Sequence, residues 1–168
     1  MKIIKTIFNK VCLLTPEIFS DERGFFYESY NSKSFNSLIG DNASFVQDNH
    51  SYTKKNVMRG LHYQEAPYQQ DKLIRVLSGE IYDVVVDLRP KSKTYGKWIS
   101  VELNSKNRMS VHIPKGCANA FLTLKNNSII HYYCSNKYDP KKEKGIRYND
   151  PFFKFKWPIK PKIISKKD

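Results

Sequence analysis

KLIRVLSGEIYDVVVDL, residues 72–88, holds two short runs of β-branched and aromatic side chains separated by Ser78-Gly79. Runs of this length, joined by a Ser-Gly turn, read as one strand, a tight connection and a second strand. In the second run Tyr82, Val84, Val86 and Leu88 fall on one face, while Ile81, Asp83, Val85 and Asp87 fall on the other. An acid inside a sheet is costly unless it is paired. The acidic face therefore borders either solvent or a polar cavity, and a barrel that holds a ligand favours the cavity.

Working outward, the same signature recurs at 56–64 (NVMRGLHYQ), 97–103 (KWISVEL), 109–113 (MSVHI), 119–124 (NAFLTL) and 128–134 (SIIHYYC). Turn residues punctuate the runs: Pro67, Pro90, Asn104, Pro114-Lys115-Gly116, Asn126-Asn127 and Asp139-Pro140. One helix signal stands early, where Asn31 or Ser34 caps a turn carrying Phe35, Leu38 and Ile39, and Gly40 ends it. No repeat, low-complexity tract or linker divides the chain. The expectation is one domain over 1–168, all-β, an antiparallel sandwich or barrel of the jelly-roll (cupin-like) kind with a few short helices.

The formal net charge is +13. Its lysines are scattered except in KFKWPIKPKIISKK, residues 154–167, so the bulk charge reads as a solvated surface, with neither nucleic acid nor a membrane as the expected partner. Arginine is scarce by comparison: Arg23, Arg59, Arg75, Arg89, Arg108 and Arg147. Each is better placed than a lysine to act as a planar fork for carboxylate or phosphate. Cys12, Cys117 and Cys134 are odd in number and lack metal-ligand spacing, which fits free thiols in a reducing compartment. In MKIIKTIFNKV, residues 1–11, lysines interrupt every apolar stretch, so no signal-peptide core forms, and no run approaches a membrane span. A cytoplasmic location is expected.

If the strands around 60–77 pair as a hairpin centred near Pro67, His62 and Lys72 fall opposite each other and share one pocket wall. A neighbouring ammonium favours the neutral imidazole that a general base needs, and the lysine itself can stabilise an oxyanion. Spacing alone leaves His62 either such a base or a satisfied core histidine. His50, His62, His112 and His131 are dispersed, without an HxH or HExxH pattern, so no metal is expected. No phosphate loop or nucleophile elbow appears. Within SIIHYYC, Tyr132 shares a face with Ile130 and Cys134 while Tyr133 points the other way. By residue type alone, Tyr132 is an aromatic core residue before it is a proton donor.

The runs FSDERGFFYESYN, FVQDNHS, RGLHYQ, DKLIRVLSGEIYDVVVDLRPKSKTYGKW, IPKGCANAF, YYCSNKYDPKKE and NDPFFKFKWP together resemble the dTDP-4-dehydrorhamnose 3,5-epimerase family, over roughly residues 15–168. The resemblance implies a jelly-roll homodimer with an exchanged N-terminal strand, no metal or organic cofactor, and a nucleotide-diphospho-4-keto sugar as substrate. It implies His62 as base, Tyr132 as proton donor, Lys72 at the C4 oxygen and Asp168 holding the His62 tautomer. Gln47, Asn49 and Arg59 match nucleotide-sugar contacts, with Arg59 on the diphosphate. Arg23, Phe26 and Glu28 match a segment contributed across the dimer, Tyr138 an aromatic near the base, and Glu143 another ligand contact.

The chain departs from that family at Asn119 in IPKGCANAF, where a histidine is usual. Asn keeps hydrogen-bonding capacity without a positive charge, and the expectation widens to other nucleotides or sugars. These include GDP-linked 4-keto-heptoses of capsules, epimerised at C3 alone or at C3 and C5, within surface-polysaccharide synthesis. The other class to separate is a non-catalytic jelly-roll protein that binds glycan.

Overall fold

A computed structural model of the chain describes residues 1–8 and 10–168. The runs read from the sequence form β6 (Met58–Gln64), β7 (Lys72–Ser78), β8 (Glu80–Asp87), β9 (Trp98–Asn104), β10 (Ser110–Ile113), β11 (Cys117–Thr123) and β12 (Ser128–Cys134). The chain adds β1 (Lys2–Phe8), β2 (Val11–Thr15), β3 (Phe19–Asp21), β4 (Gly24–Phe26), β5 (Gln47–Thr53) and β13 (Glu143–Gly145). The helix α1 spans Ser32–Ile39. Asn31 caps it by accepting from Ser34 N–H, and Gly40 closes it in the left-handed region at φ 63°.

One sheet runs β1-β2-β10-β7-β12-β5 and the other β13-β6-β11-β8-β9, with β3-β4 a separate hairpin. Strands β5, β12, β7 and β10 thus alternate between sheets with β6, β11, β8 and β9, the strand exchange of a jelly roll. All the named pairings are antiparallel.

This alternation overturns the hairpin about Pro67. His62 pairs with Asn119 and Gly145, whereas Lys72 pairs with Ile113 and Cys134. Residues 65–71 carry the chain from one sheet to the other, because the edges of β6 and β7 are already filled by other strands. His62 and Lys72 therefore occupy opposite walls of the space between the sheets, not one wall.

Three cores stack through the molecule. Between the sheets lie Ile74, Val76, Ile81, Val85, Leu103, Val111 and Ile130. The outer face of the second sheet, with Tyr82, Val84, Val86 and Leu88, is covered by Ile146, Phe153, Phe155 and Trp157 from the C-terminal segment. On the outer face of the first, Phe35 and Ile39 of α1 pack with Leu73, Phe45 and Tyr133. The two faces of β8 divide as the alternation predicts. Asp83 and Asp87 are both wholly buried on the inner side.

Candidate active site

Cross-strand neighbours project from the same face of a sheet, and two rows of the first sheet therefore deliver one wall of a cavity. Gln47, Cys134 and Lys72 form one row, and Asn49, Tyr132 and Ile74 the next. Tyr132 lines the cavity and Tyr133 turns outward into the aromatic cluster with Tyr30 and Phe45, as the strand period requires.

The opposite wall needs an irregularity. Asn119 pairs with His62 and Phe121 with Arg59, so three steps along β6 match two along β11. This is a β-bulge, and it turns both Arg59 and His62 toward the cavity although their spacing is odd. Gly60 makes it possible: its φ is 107°, and a Cβ there would press into Asn119 O and the Ala120 backbone.

Between the walls lies a cavity of about 480 Å³ bounded by Arg59, His62, Lys72, Asn119, Tyr132 and the strap 163–168, with Ile74 and Phe121 as its apolar lining. A smaller polar chamber of about 120 Å³ adjoins it, edged by Gln47, Asn49, Gln64 and Gln70, and shares His62, Lys72, Tyr132, Tyr138 and Glu143 with the larger one. Gln47 Nε2 donates to Asn49 Oδ1 at 2.8 Å, which fixes that pair.

His62 Nε2 lies 2.5 Å from Asp168 Oδ1. A carboxylate only accepts, so the proton of that bond sits on Nε2 and Nδ1 is left with its lone pair. Glu143 Oε1 stands 3.9 Å from Nδ1. Burial works against the Glu143 carboxylate. The hydrogen bond from Lys167 Nζ at 2.7 Å, the nearby His62 and the Tyr138 hydroxyl at 3.2 Å nonetheless hold it below its ordinary value. Burial raises the Tyr132 phenol above its usual value, so it keeps its proton as a donor must. Burial lowers Lys72 against the pull of Cys134, Asp83 and Glu143.

Of the residues singled out in the sequence, His62, Lys72, Tyr132, Asp168, Gln47, Asn49, Arg59, Asn119, Tyr138 and Glu143 converge on these two chambers. Arg23, Phe26 and Glu28 do not. They stand exposed on and after the β3-β4 hairpin, where Arg23 is engaged by Asp21 and Glu28 accepts from Asn31. Sequence reasoning passed over Lys167 and the Ile163–Ser165 strap, because a lysine-rich tail carries no periodic signal. It also left Asp83 unassigned, although the alternation of β8 had marked that acid as facing a cavity. Among the described residues, no group of three His, Cys, Asp or Glu side chains is arranged to hold a metal ion, and no helix is long and apolar enough to cross a membrane. Cys12, Cys117 and Cys134 are free thiols.

A sequence model of the dTDP-4-dehydrorhamnose 3,5-epimerase family matches residues 5–168. The enzyme of that name from Shigella flexneri is 44% identical over 168 residues, covering 100% of this chain and 93% of that protein. A dTDP-6-deoxy-D-glucose-3,5-epimerase from Legionella pneumophila, solved in complex with dTDP-4-keto-L-rhamnose, superposes with a TM-score of 0.94 at 42% identity, covering 99% of this chain and 89% of that one. A 3′-monoepimerase from Streptomyces bikiniensis in complex with dTDP-quinovose superposes at 0.90 with 31% identity, covering 100% and 84%. With a jelly roll whose two sheets bring His62, Tyr132 and Lys72 around one cavity, this chain belongs to the dTDP-4-dehydrorhamnose 3,5-epimerase family.

Proposed function

We propose that the protein is an isomerase that inverts C3, C5 or both of a dTDP-linked 4-keto-6-deoxy sugar by proton transfer through an enolate. The observation that carries the mechanism is the placement of His62 and Tyr132 on opposing walls of one cavity, with Lys72 beside Tyr132 on the first sheet. Inversion needs removal of a proton from one face of the ring and return to the other. His62 Nδ1 removes the proton α to the C4 ketone, while Asp168 holds the tautomer and Glu143 faces the resulting imidazolium. The electron pair of the broken C–H bond moves to the C4 oxygen, where the Lys72 ammonium meets it. Tyr132 returns a proton from the opposite wall.

Arg59 and the rim lysine Lys167 supply positive charge for the diphosphate. Gln47, Asn49 and Asn119 offer hydrogen bonds to the sugar, and Tyr138 an aromatic face near the base. A homodimer is part of this reading. Phe19, Phe25 and Phe26 are all more than half exposed on the β3-β4 hairpin, and a second copy that exchanges its N-terminal strand would cover them and carry Arg23, Phe26 and Glu28 to its partner's cavity. No organic cofactor or metal enters the scheme.

Asn119 and the 3′-monoepimerase relative favour testing more than one sugar and counting the carbons. Incubation in deuterated water with dTDP- and GDP-linked 4-keto sugars, read by mass shift, is expected to show incorporation at one or two carbons. His62→Asn should reduce the rate by about 10³-fold while nucleotide affinity changes by less than about threefold. No incorporation with any of these sugars defeats the epimerase reading, and ligand binding without exchange would favour the glycan-binding alternative.

A further inference from the structure

Asn119 stands on the wall that carries the base, as the β11 partner of His62. Toward β8, Asn119 pairs with Val85 and Phe121 with Asp83, so Asn119 and Asp83 are diagonal neighbours on the inner face. Asn119 Nδ2 donates to Asp83 Oδ1 at 2.8 Å and approaches Val84 O at 3.5 Å. The amide nitrogen is thus spent on β8. Asp83 is wholly buried, and among the described residues Asn119 is its one hydrogen-bond donor.

An asparagine has a donor end and an acceptor end, and fixing one fixes the other. The bond from Nδ2 needs only a lone pair on Asp83 Oδ1, which an ionised or a protonated carboxyl supplies equally. Turning the amide over would set its carbonyl against Val84 O, which only accepts, and would strip Asp83 Oδ1 of its donor. Asn119 Oδ1 accepts from no described residue, and it is not sealed from solvent as Asp83 Oδ2 is. It is therefore the carbonyl end that faces the cavity lined by Asn119 and His62. A carbonyl there sets a condition on the ligand. It meets a hydroxyl favourably and repels a group that only accepts, such as a phosphate oxygen or a ketone.

We propose that the Asn119 amide, locked by Asp83, accepts a hydrogen bond from the C2 hydroxyl of the sugar and so selects ligands that carry a donor at that carbon. The inference rests on the epimerase reading above. In that reading Arg59 holds the diphosphate on C1, and His62, farther along β6, reaches a carbon beside the C4 ketone. The wall from Arg59 to His62 thus runs past C1, C2 and C3. C2 carries a hydroxyl and is not itself inverted, so a bond to it persists from substrate to product. Asn119 is then a specificity residue, and Asp83 a positioning residue that acts through it.

The test is binding, measured by titration calorimetry on the full chain with dTDP-quinovose, which has no ketone and so cannot be epimerised. Analogues with hydrogen or fluorine in place of the C2 hydroxyl complete the series. Fluorine accepts weakly and never donates, so it separates the two ends of the amide. The parent is expected to bind at least about fivefold tighter than the deoxy analogue, and the fluoro analogue no tighter than the deoxy one. Asn119→Leu should bring all three ligands to within about threefold of one another. Asp83→Ala frees the amide to turn, and the preference for hydroxyl over fluorine should shrink at least about threefold. A loosened fold alone would weaken all three ligands together and leave that preference in place. The wild-type series needs no variant, and it carries the test alone if neither variant folds. A smaller gap between parent and deoxy analogue, or a fluoro analogue that binds tighter than the deoxy one, would overturn the inference. So would an unchanged preference in Asn119→Leu or Asp83→Ala. Deuterium incorporation with the 4-keto sugar is read separately. Its absence from the wild type defeats the epimerase reading, whereas an active wild type indifferent to the group at C2 defeats this inference alone.

Discussion

Asp83 and Asp87 sit four residues apart on the same face of the same strand, both inaccessible to solvent, and they are treated in opposite ways. Asp87 lies where β8 ends. Arg89 grips it with Nε at 2.8 Å and a terminal nitrogen at 2.7 Å, the Arg89 N–H donates at 3.0 Å, and the Ser92 and Thr94 hydroxyls each donate at 2.6 Å. Burial alone would raise this carboxyl, yet these donors outweigh it and hold Asp87 well below the usual carboxylate range. Among the described residues Asp83 has one donor, Asn119, and burial prevails. Identical chemistry at the middle and the end of one strand thus yields a neutral acid beside the cavity and an anion that ties down the 87–94 turn. Burial does not decide what an acid does. The number of donors that accompany it does.

The largest effect on stability is expected at the well-furnished end. Asp87→Ala leaves half-buried hydroxyls and a guanidinium without their acceptor and should destabilise the fold by about 2–4 kcal/mol, measured by urea unfolding. The kcat of the folded fraction should stay within about twofold of wild type. A large loss of kcat with unchanged stability would break the contrast.

The pH dependence should separate the two acids by sign. Asp87 has a folded value below its unfolded one, so it contributes stability above about pH 4, which is lost as pH falls through the folded value. Asp83 has a folded value of about 8, so folding retains a proton that the unfolded chain releases. Its cost grows from about pH 4 to about pH 8, by at most about 1.4 kcal/mol per unit. Asp83→Asn should therefore match wild type near pH 4 and become progressively more stable than it toward pH 8, by thermal or urea midpoint. A variant that loses stability across that window would show that Asp83 is ionised and paired.

The smallest effect belongs to the rim. Lys167 is mostly exposed and bonds Glu143 at 2.7 Å. Lys167→Ala should raise KM for the nucleotide sugar about two- to fivefold, more at low ionic strength than at high, with little change in kcat. An equal loss in kcat would place Lys167 with the groups that act on the reacting carbon.

Much of this arrangement is legible in the sequence. The period of two along 80–88 divided an apolar face from an acidic one, and SIIHYYC separated Tyr132 from Tyr133, because alternation is a local property of extended backbone. The Asn31 cap and Gly40 stop were equally local. Arg89, one of six arginines, proved to be the planar fork that their scarcity suggested. The N-terminal strand β1 was not legible, because the lysines in 1–11 that argue against a signal peptide also interrupt the alternation. The bulge at Gly60 was hidden for another reason: at a strictly alternating spacing, Arg59 and His62 belong on opposite faces.

The sequence by itself determined seven of the strands, the faces of β8 and β12, the helix caps and, through the order of its motifs, the family. Which strands share a sheet was decided only by the tertiary structure. Pairing depends on contacts between residues far apart in the chain, and a hairpin centred on Pro67 satisfies local rules as well as the observed crossover does. The crossover sets His62 and Lys72 on opposing walls and brings Asp168 against His62 across 106 positions of sequence. It also leaves Asp83 with one donor where Asp87 has several. Burial and donor number are properties of the assembled interior, and they make Asp87 an anion and Asp83 a neutral acid.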